Sequence, residues 1–195
     1  IRDRGLVEEV RSRERALTYD FSYENLRALV YEETSLARRR LLHRRIAEAL
    51  AGRPRGHSET GVLPDSIVHH YQMAGNEAAA AHYFKIAGER ARTLYAHKEA
   101  LAHFRMALAL GHTDSAGLHE AIGDLHTLLG EYNAALKSYE TAAALCNSAA
   151  LANVEHKLGT VYQRRGEWEL AESHLEAALH TLTDAGSAGE RAKIY

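Results

Sequence analysis

Thirteen histidines among 195 residues are the first side chains in this sequence that could do chemistry. Imidazole nitrogens bind transition metals and exchange protons near neutral pH. Their spacing argues against a metal centre. His69 and His70 are adjacent, so they leave a helix on different faces. His119 and His126 are seven apart and could share a face, whereas His174 and His180 are six apart and align poorly. No H-x-x-x-H pair with a carboxylate partner occurs, and Cys146, the only cysteine, stands apart. The histidines therefore read as core and surface residues, with no metal and no cofactor implied.

Catalytic patterns are missing as well. No serine sits in a G-x-S-x-G elbow, and no G-x-x-x-x-G-K-[ST] phosphate loop occurs. The paired carboxylates Glu32 and Glu33 lie on a basic, helical background and read as solvated. The sequence names no catalytic residue, and the expectation is a protein that is not an enzyme.

A third chemistry-bearing group is Arg38, Arg39, Arg40, Arg44 and Arg45 on one helical stretch. Guanidinium forks match phosphates and carboxylates in two-point contacts. No aromatic stacking platform accompanies these arginines, so direct nucleic-acid binding is disfavoured. The functional reading is docking on an acidic neighbouring domain, and the plain one is a solvated face with local pairs to Glu32, Glu33 and Glu48. Charge is unevenly placed: residues 1–55 hold thirteen Arg and no Lys against nine acids, although the whole chain is −2.

These groups need a scaffold, and composition says which kind. Hydrophobic residues make up 46%, rich in alanine, and only two residues are proline. Ala is the strongest helix former and Pro the weakest, so packed helices are expected. A single cysteine excludes an intrachain disulfide and fits a reducing, cytoplasmic setting. No apolar run approaches the roughly 20 residues of a membrane helix. Ile1 opens with no initiator Met and no signal-peptide pattern, so the chain reads as an excised piece.

Internal repetition specifies the packing. LLGEYNAALKSYETAAAL (128–145) recurs 36 residues later as RRGEWELAESHLEAALHTL. Gly130 matches Gly166, Tyr132 matches Trp168, Ala135 matches Ala171, Tyr139 matches Leu175 and Ala142 matches Ala178. Seven residues before each turn glycine stand Gly123 and Gly159. An earlier copy shares the frame through Gly88, Ala100, Phe104 and Ala107, with Tyr95 and His97 replacing the turn Gly and the aromatic. A helical Gly costs about 1 kcal/mol relative to Ala, so its return points to a packing need.

This pattern is similar to the tetratricopeptide repeat, a helix–turn–helix unit of about 34 residues. The resemblance implies an all-α fold: a right-handed superhelix of stacked hairpins, each unit covering the open face of its neighbour. Helices are expected over 23–33 with Ser22 as N-cap, then 36–51, 64–74, 77–95, 97–110, 116–129, 132–145, 149–165 and 168–183. Residues 19–21 could be a short strand or an extended entry. The expected organisation is a helical segment over 1–51, a linker over 52–62 and repeats over 63–195. Within the last, 63–95 and 81–110 are degenerate, 116–147 and 152–184 are clear, and 186–195 opens another.

Residues 19–50, YDFSYENLRALVYEETSLARRRLLHRRIAEAL, resemble the end of the winged-helix region of STAND-type signal-transduction ATPases, bacterial regulators related to LuxR- and SARP-type activators. HHYQMAG (69–75), AGERA (87–91) and EALAHFRMAL (99–108) follow in the family's order. The resemblance implies a transcriptional regulator with a nucleotide-gated switch upstream. Where relatives carry a phosphate-sensing His, this chain has Tyr23, which can donate a hydrogen bond but carries no positive charge.

The repeat resemblance also implies that the first helix of each unit lines a concave groove. The groove-facing positions are Lys85, Glu89 and Arg92, then Glu120, Asp124 and Thr127, then His156, Thr160 and Gln163. Glu89 and Asp124 stand where carboxylate-gripping repeats carry Asn. A protein or peptide partner of mixed charge, or another domain of the same chain, is therefore expected. Two other readings stay open: a stand-alone repeat scaffold, and direct DNA binding by residues 1–50.

Overall fold

The computed structural model describes residues 7–11, 17–21, 23–52 and 64–184. Ser22, the linker residues 53–62 and the expected further repeat at 186–195 lie outside the described residues. The chain opens with an antiparallel hairpin, β1 (Val7–Arg11) and β2 (Leu17–Phe21), in which Val7 pairs with Phe21 and Arg11 with Leu17. Residues 19–21 thus belong to a strand. The two helices that follow are α1 (Glu24–Glu33) and α2 (Leu36–Ala51).

The body is helical throughout, and its helix limits fall within two residues of those read from the sequence. It comprises α3 (Pro64–Ala74), α4 (Glu77–Thr93), α5 (His97–Ala109), α6 (Ser115–Leu128), α7 (Tyr132–Leu145), α8 (Ser148–Arg165) and α9 (Trp168–Asp184). Short polar residues start three of these helices. Asn76, Asp114 and Asn147 each accept a hydrogen bond from the backbone N–H three residues on, satisfying a donor that the helix leaves unpaired.

Helices pack as α2–α3, α4–α5, α6–α7 and α8–α9, and successive hairpins stack. α2 and α3 share Ala47, Ile67 and Tyr71 with Ala80 of α4. This small core joins residues on both sides of the expected linker. A larger core runs from Val68 through Phe84, Phe104 and Leu118 to Leu125, and another joins α7 to α8 through Tyr139, Val154 and Val161.

The repeating glycines explain how close the paired helices lie. A Cβ on Gly88 would sit 2.5 Å from the Phe104 ring, and one on Gly123 would sit 2.5 Å from the Tyr139 ring. A Cβ on Gly159 would meet Leu175 at 2.9 Å. The helices α4, α6 and α8 thus each offer a notch, and the helix that follows fills it with the residue seven positions beyond its own start. Phe104 and Tyr139 are almost wholly buried there.

The turns repeat too. Gly130 and Gly166 adopt φ of 75° and 78°, and both follow the hydrogen-bond pattern of a left-handed helix cap: Glu131 N–H reaches His126 O, and Glu167 N–H reaches Tyr162 O. The degenerate copy keeps that geometry without the glycine. Tyr95 has φ 59°, and Ala96 N–H reaches Ala91 O in the same way. Tyr132, just after its turn, packs against the α7–α8 core, whereas Trp168 is 65% exposed.

Two outcomes follow. Gly123→Ala gains helix propensity but overpacks a rigid ring, so urea denaturation should show a net loss of about 1–2 kcal/mol; Gly159→Ala, facing flexible Leu175, should lose less. Tyr95→Gly relieves a left-handed backbone at a largely exposed side chain, so thermal unfolding should show a gain of about 0.5 kcal/mol.

Candidate functional site

Polar side chains bridge the first helices α4, α6 and α8 from one hairpin to the next. From α4, Lys85 Nζ reaches Asp114 Oδ2, at the start of α6, at 2.5 Å. From α8, Lys157 Nζ reaches Glu120 Oε1 at 2.6 Å and Asp124 Oδ1 at 2.7 Å on α6. Asn153 donates to the same Glu120 oxygen at 2.6 Å. One continuous polar surface results, belonging to three repeats.

Three of the nine expected groove residues, Lys85, Glu120 and Asp124, are committed to this lattice. Asp124 also accepts from the Tyr139 hydroxyl at 2.8 Å, so the notch-filling ring is tied to the polar surface. Burial, the largest cause, and the adjacent Asp124 hold the Tyr139 phenol well above its ordinary value of 10. Glu89 pairs with Arg92 at 2.9 Å. Thr127 and Thr160 donate to carbonyls one turn back, of Gly123 and His156. Arg92 and Gln163 are exposed. The hub Lys157 was not among the expected residues. Nothing in its own repeat marks it, because its two acids stand 33 and 37 positions earlier.

The arginines divide. Arg44 pairs with Glu48 at 2.8 Å, as the local reading anticipates. Arg39 donates to Thr34 O at 2.8 Å and lies 4.9 Å over the Tyr31 ring. Arg38 and Arg45 are exposed and make no ion pair among the described residues. Beside them, Leu42 and Ile46 are 45% and 41% exposed.

Histidines gather in ways that spacing conceals. His43 of α2 meets His70 of α3, Nδ1 to Nδ1, at 2.8 Å, and the Tyr31 hydroxyl lies 3.1 Å from His43 Nε2. His69 closes the group, its ring 5.5 Å from that of His70 and 6.2 Å from that of His43. Buried His126 lies between Glu131 and Arg105. His174 stacks on Tyr162 and contacts Glu155 at 2.6 Å.

Among the described residues, the one trio with cation-binding geometry is Asp65, Glu99 and His103. Its carboxylates are exposed, at 3.4 and 3.7 Å from His103 Nε2, the arrangement of a surface ion-pair set. A cleft of about 520 Å³ opens where α6 begins beside the α7–α8 connection, lined by Asp114, Glu120, Cys146 and Val154. Burial pushes the Cys146 thiol up, which disfavours a nucleophilic thiolate. No described helix is long and apolar enough to cross a membrane.

Comparison with known proteins agrees with the repeat geometry. Residues 114–184, which are α6 to α9, match the tetratricopeptide repeat family model. No curated protein matches the sequence. Among solved structures, a crystal structure of MamA aligns with TM-score 0.53 at 16% identity, covering 84% of this chain and 85% of that one. The CopN–Scc3 complex aligns with TM-score 0.55 at 14% identity, over 78% of this chain and 96% of that one. The Rap conjugation gene regulator of plasmid pLS20, solved with the Phr* peptide, aligns with TM-score 0.56 at 14% identity, over 88% of this chain and 49% of that one. These likenesses show the fold: α6 to α9 form a tetratricopeptide-repeat region within a superhelix of helical hairpins.

The Tyr139 phenol gives this site a pH signature. Its neutral form is favoured in the fold, so the unfolded chain releases that proton first, near pH 10. Stability from this group is complete below pH 10 and declines as pH rises beyond it. Denaturation of Tyr139→Phe should therefore show a shallower alkaline decline than the parent chain.

Proposed function

We propose that this chain is a protein-binding module, and that α4, α6 and α8 present the surface on which a segment of a partner protein lies. The observation that carries the reading is the lattice of Lys85–Asp114, Asn153–Glu120 and Lys157–Asp124 contacts, which fixes three first helices as one face before any partner arrives. A preformed face spares the ordering cost of association. The Rap regulator aligned above holds a peptide, and CopN–Scc3 is a complex of two proteins, which supports a polypeptide partner here.

The same lattice refines which residues meet the partner. Glu120 and Asp124 share Lys157, so their charge is largely internal. Arg92, Asn153 and Gln163, all exposed, are the contact residues of this reading, with Glu89 and His156 beside them. The face carries both charge signs and suits a partner that does too.

The module is further read as the sensor arm of a STAND-type transcriptional regulator in the cytoplasm. The order of a hairpin, α1 and an arginine-bearing α2 ahead of repeats supports this, together with the resemblance of residues 19–50. Arg38 and Arg45, beside Leu42 and Ile46, would dock on another domain of the chain. The second reading is a stand-alone repeat scaffold, which the paired helices fit equally well. A coding sequence with a G-x-x-x-x-G-K-[ST] loop upstream of residue 1 supports the regulator; one without it favours the scaffold.

Site-specific photo-crosslinkers test the face. Placed at Arg92 and Gln163, they should capture polypeptide in cells, while those at exposed Lys137 and Glu140 of α7 should not. Arg92→Glu should lower recovery by about tenfold, the effect of roughly 1.4 kcal/mol. Capture confined to α7 would overturn the assignment.

A further inference from the structure

His43, His69 and His70 lie where the arginine-bearing α2 meets the repeat array, and no role assigned above uses them. Two Nδ1 atoms 2.8 Å apart leave room for one proton between them. With one ring donating and the other accepting, the contact is a hydrogen bond; with a proton on both, two N–H groups point at each other. The Tyr31 hydroxyl serves either tautomer of His43, because it can accept or donate at Nε2. The arrangement therefore tolerates a neutral pair or a singly charged one, and excludes the doubly charged one.

We propose that this trio is an acid-sensitive latch: at neutral pH it ties α2 to α3, and double protonation opens the joint, freeing the arginine-bearing segment while the repeats beyond stay folded.

The surroundings favour opening over accommodation. From α1, Tyr31 faces the trio, and Arg39 of α2 lies over its ring. From α2, Arg40 lies beside Gly75, where α3 ends, and Arg44 is taken by Glu48. From α3, His69 adds a third imidazole. From α4, Tyr83 stacks on Tyr71. Among the described residues no carboxylate makes a hydrogen bond or ion pair with these rings, so no counter-charge receives the added protons. Burial, then the neighbouring histidines, lowers both His43 and His70 below the ordinary value of 6.5. The unfolded or opened segment binds protons first, so the stabilisation is complete above about pH 6.5 and is lost as pH falls below it. Among the described residues, only Ala47, Ile67, Tyr71 and Ala80 are buried in the core at this joint, whereas the core that runs from Val68 of α3 to Leu125 and the α7–α8 core bury more residues each.

Amide hydrogen exchange of the whole chain, corrected for intrinsic rates, tests the latch. Between pH 7.5 and 5.5, protection of α2 and α3 should fall by about tenfold or more. α8 and α9 should not change; they are the reference because His112 and His119, also lowered by burial, lie beside and within α6. In the His43→Gln, His70→Gln double variant the response should flatten. If that variant does not fold, proton NMR of the parent chain replaces it: His43 and His70 should titrate below 6.5 in linked steps. Unchanged protection, an equal response in the double variant, or two independent titrations at 6.5 would each overturn the proposal.

Discussion

The fold depends on one steric constraint: a helix face with no Cβ must meet a side chain that fills the missing volume. Gly88 under Phe104 and Gly123 under Tyr139 are the purest cases, each so close that one methyl group would strike the ring. The constraint sets the separation within the α4–α5, α6–α7 and α8–α9 hairpins. Alanines at 100, 107, 135, 142, 171 and 178 continue the same demand for small volume along the second helices. Packing, more than propensity, holds these helices, since a helical glycine acts against local stability.

The polar surface rests on that packing and returns something to it. Tyr139 fills its notch with an apolar ring and points its hydroxyl at Asp124, which in turn holds Lys157 of the next unit. One residue thus couples the hairpin interior to the lattice between repeats. Partly exposed ion pairs are individually weak. Their value here is geometric: they keep three first helices in register. The resulting surface is mixed in sign.

Local features were legible in the sequence, and features joining distant segments were not. Helix limits followed from glycine, asparagine and the apolar period, because caps and turns act over three or four residues. Tyr95 was visible as a substitution in a turn frame, and the structure retains the left-handed backbone there. By contrast, the Lys157 hub and the His43–His70 contact each require residues far apart in the chain. Adjacent His69 and His70 indeed differ in exposure, yet both reach His43 because α2 crosses α3 at that height. No periodicity within one helix carries that information.

A double-mutant cycle between Gly123→Ala and Tyr139→Leu tests the steric constraint most directly. If the notch and the ring define each other, shrinking the ring makes room for the methyl, and the two changes should couple by at least about 1 kcal/mol in denaturant unfolding. Additive losses, agreeing within about 0.3 kcal/mol, would mean that the glycine does not set the helix spacing, and the account of this superhelix would fail.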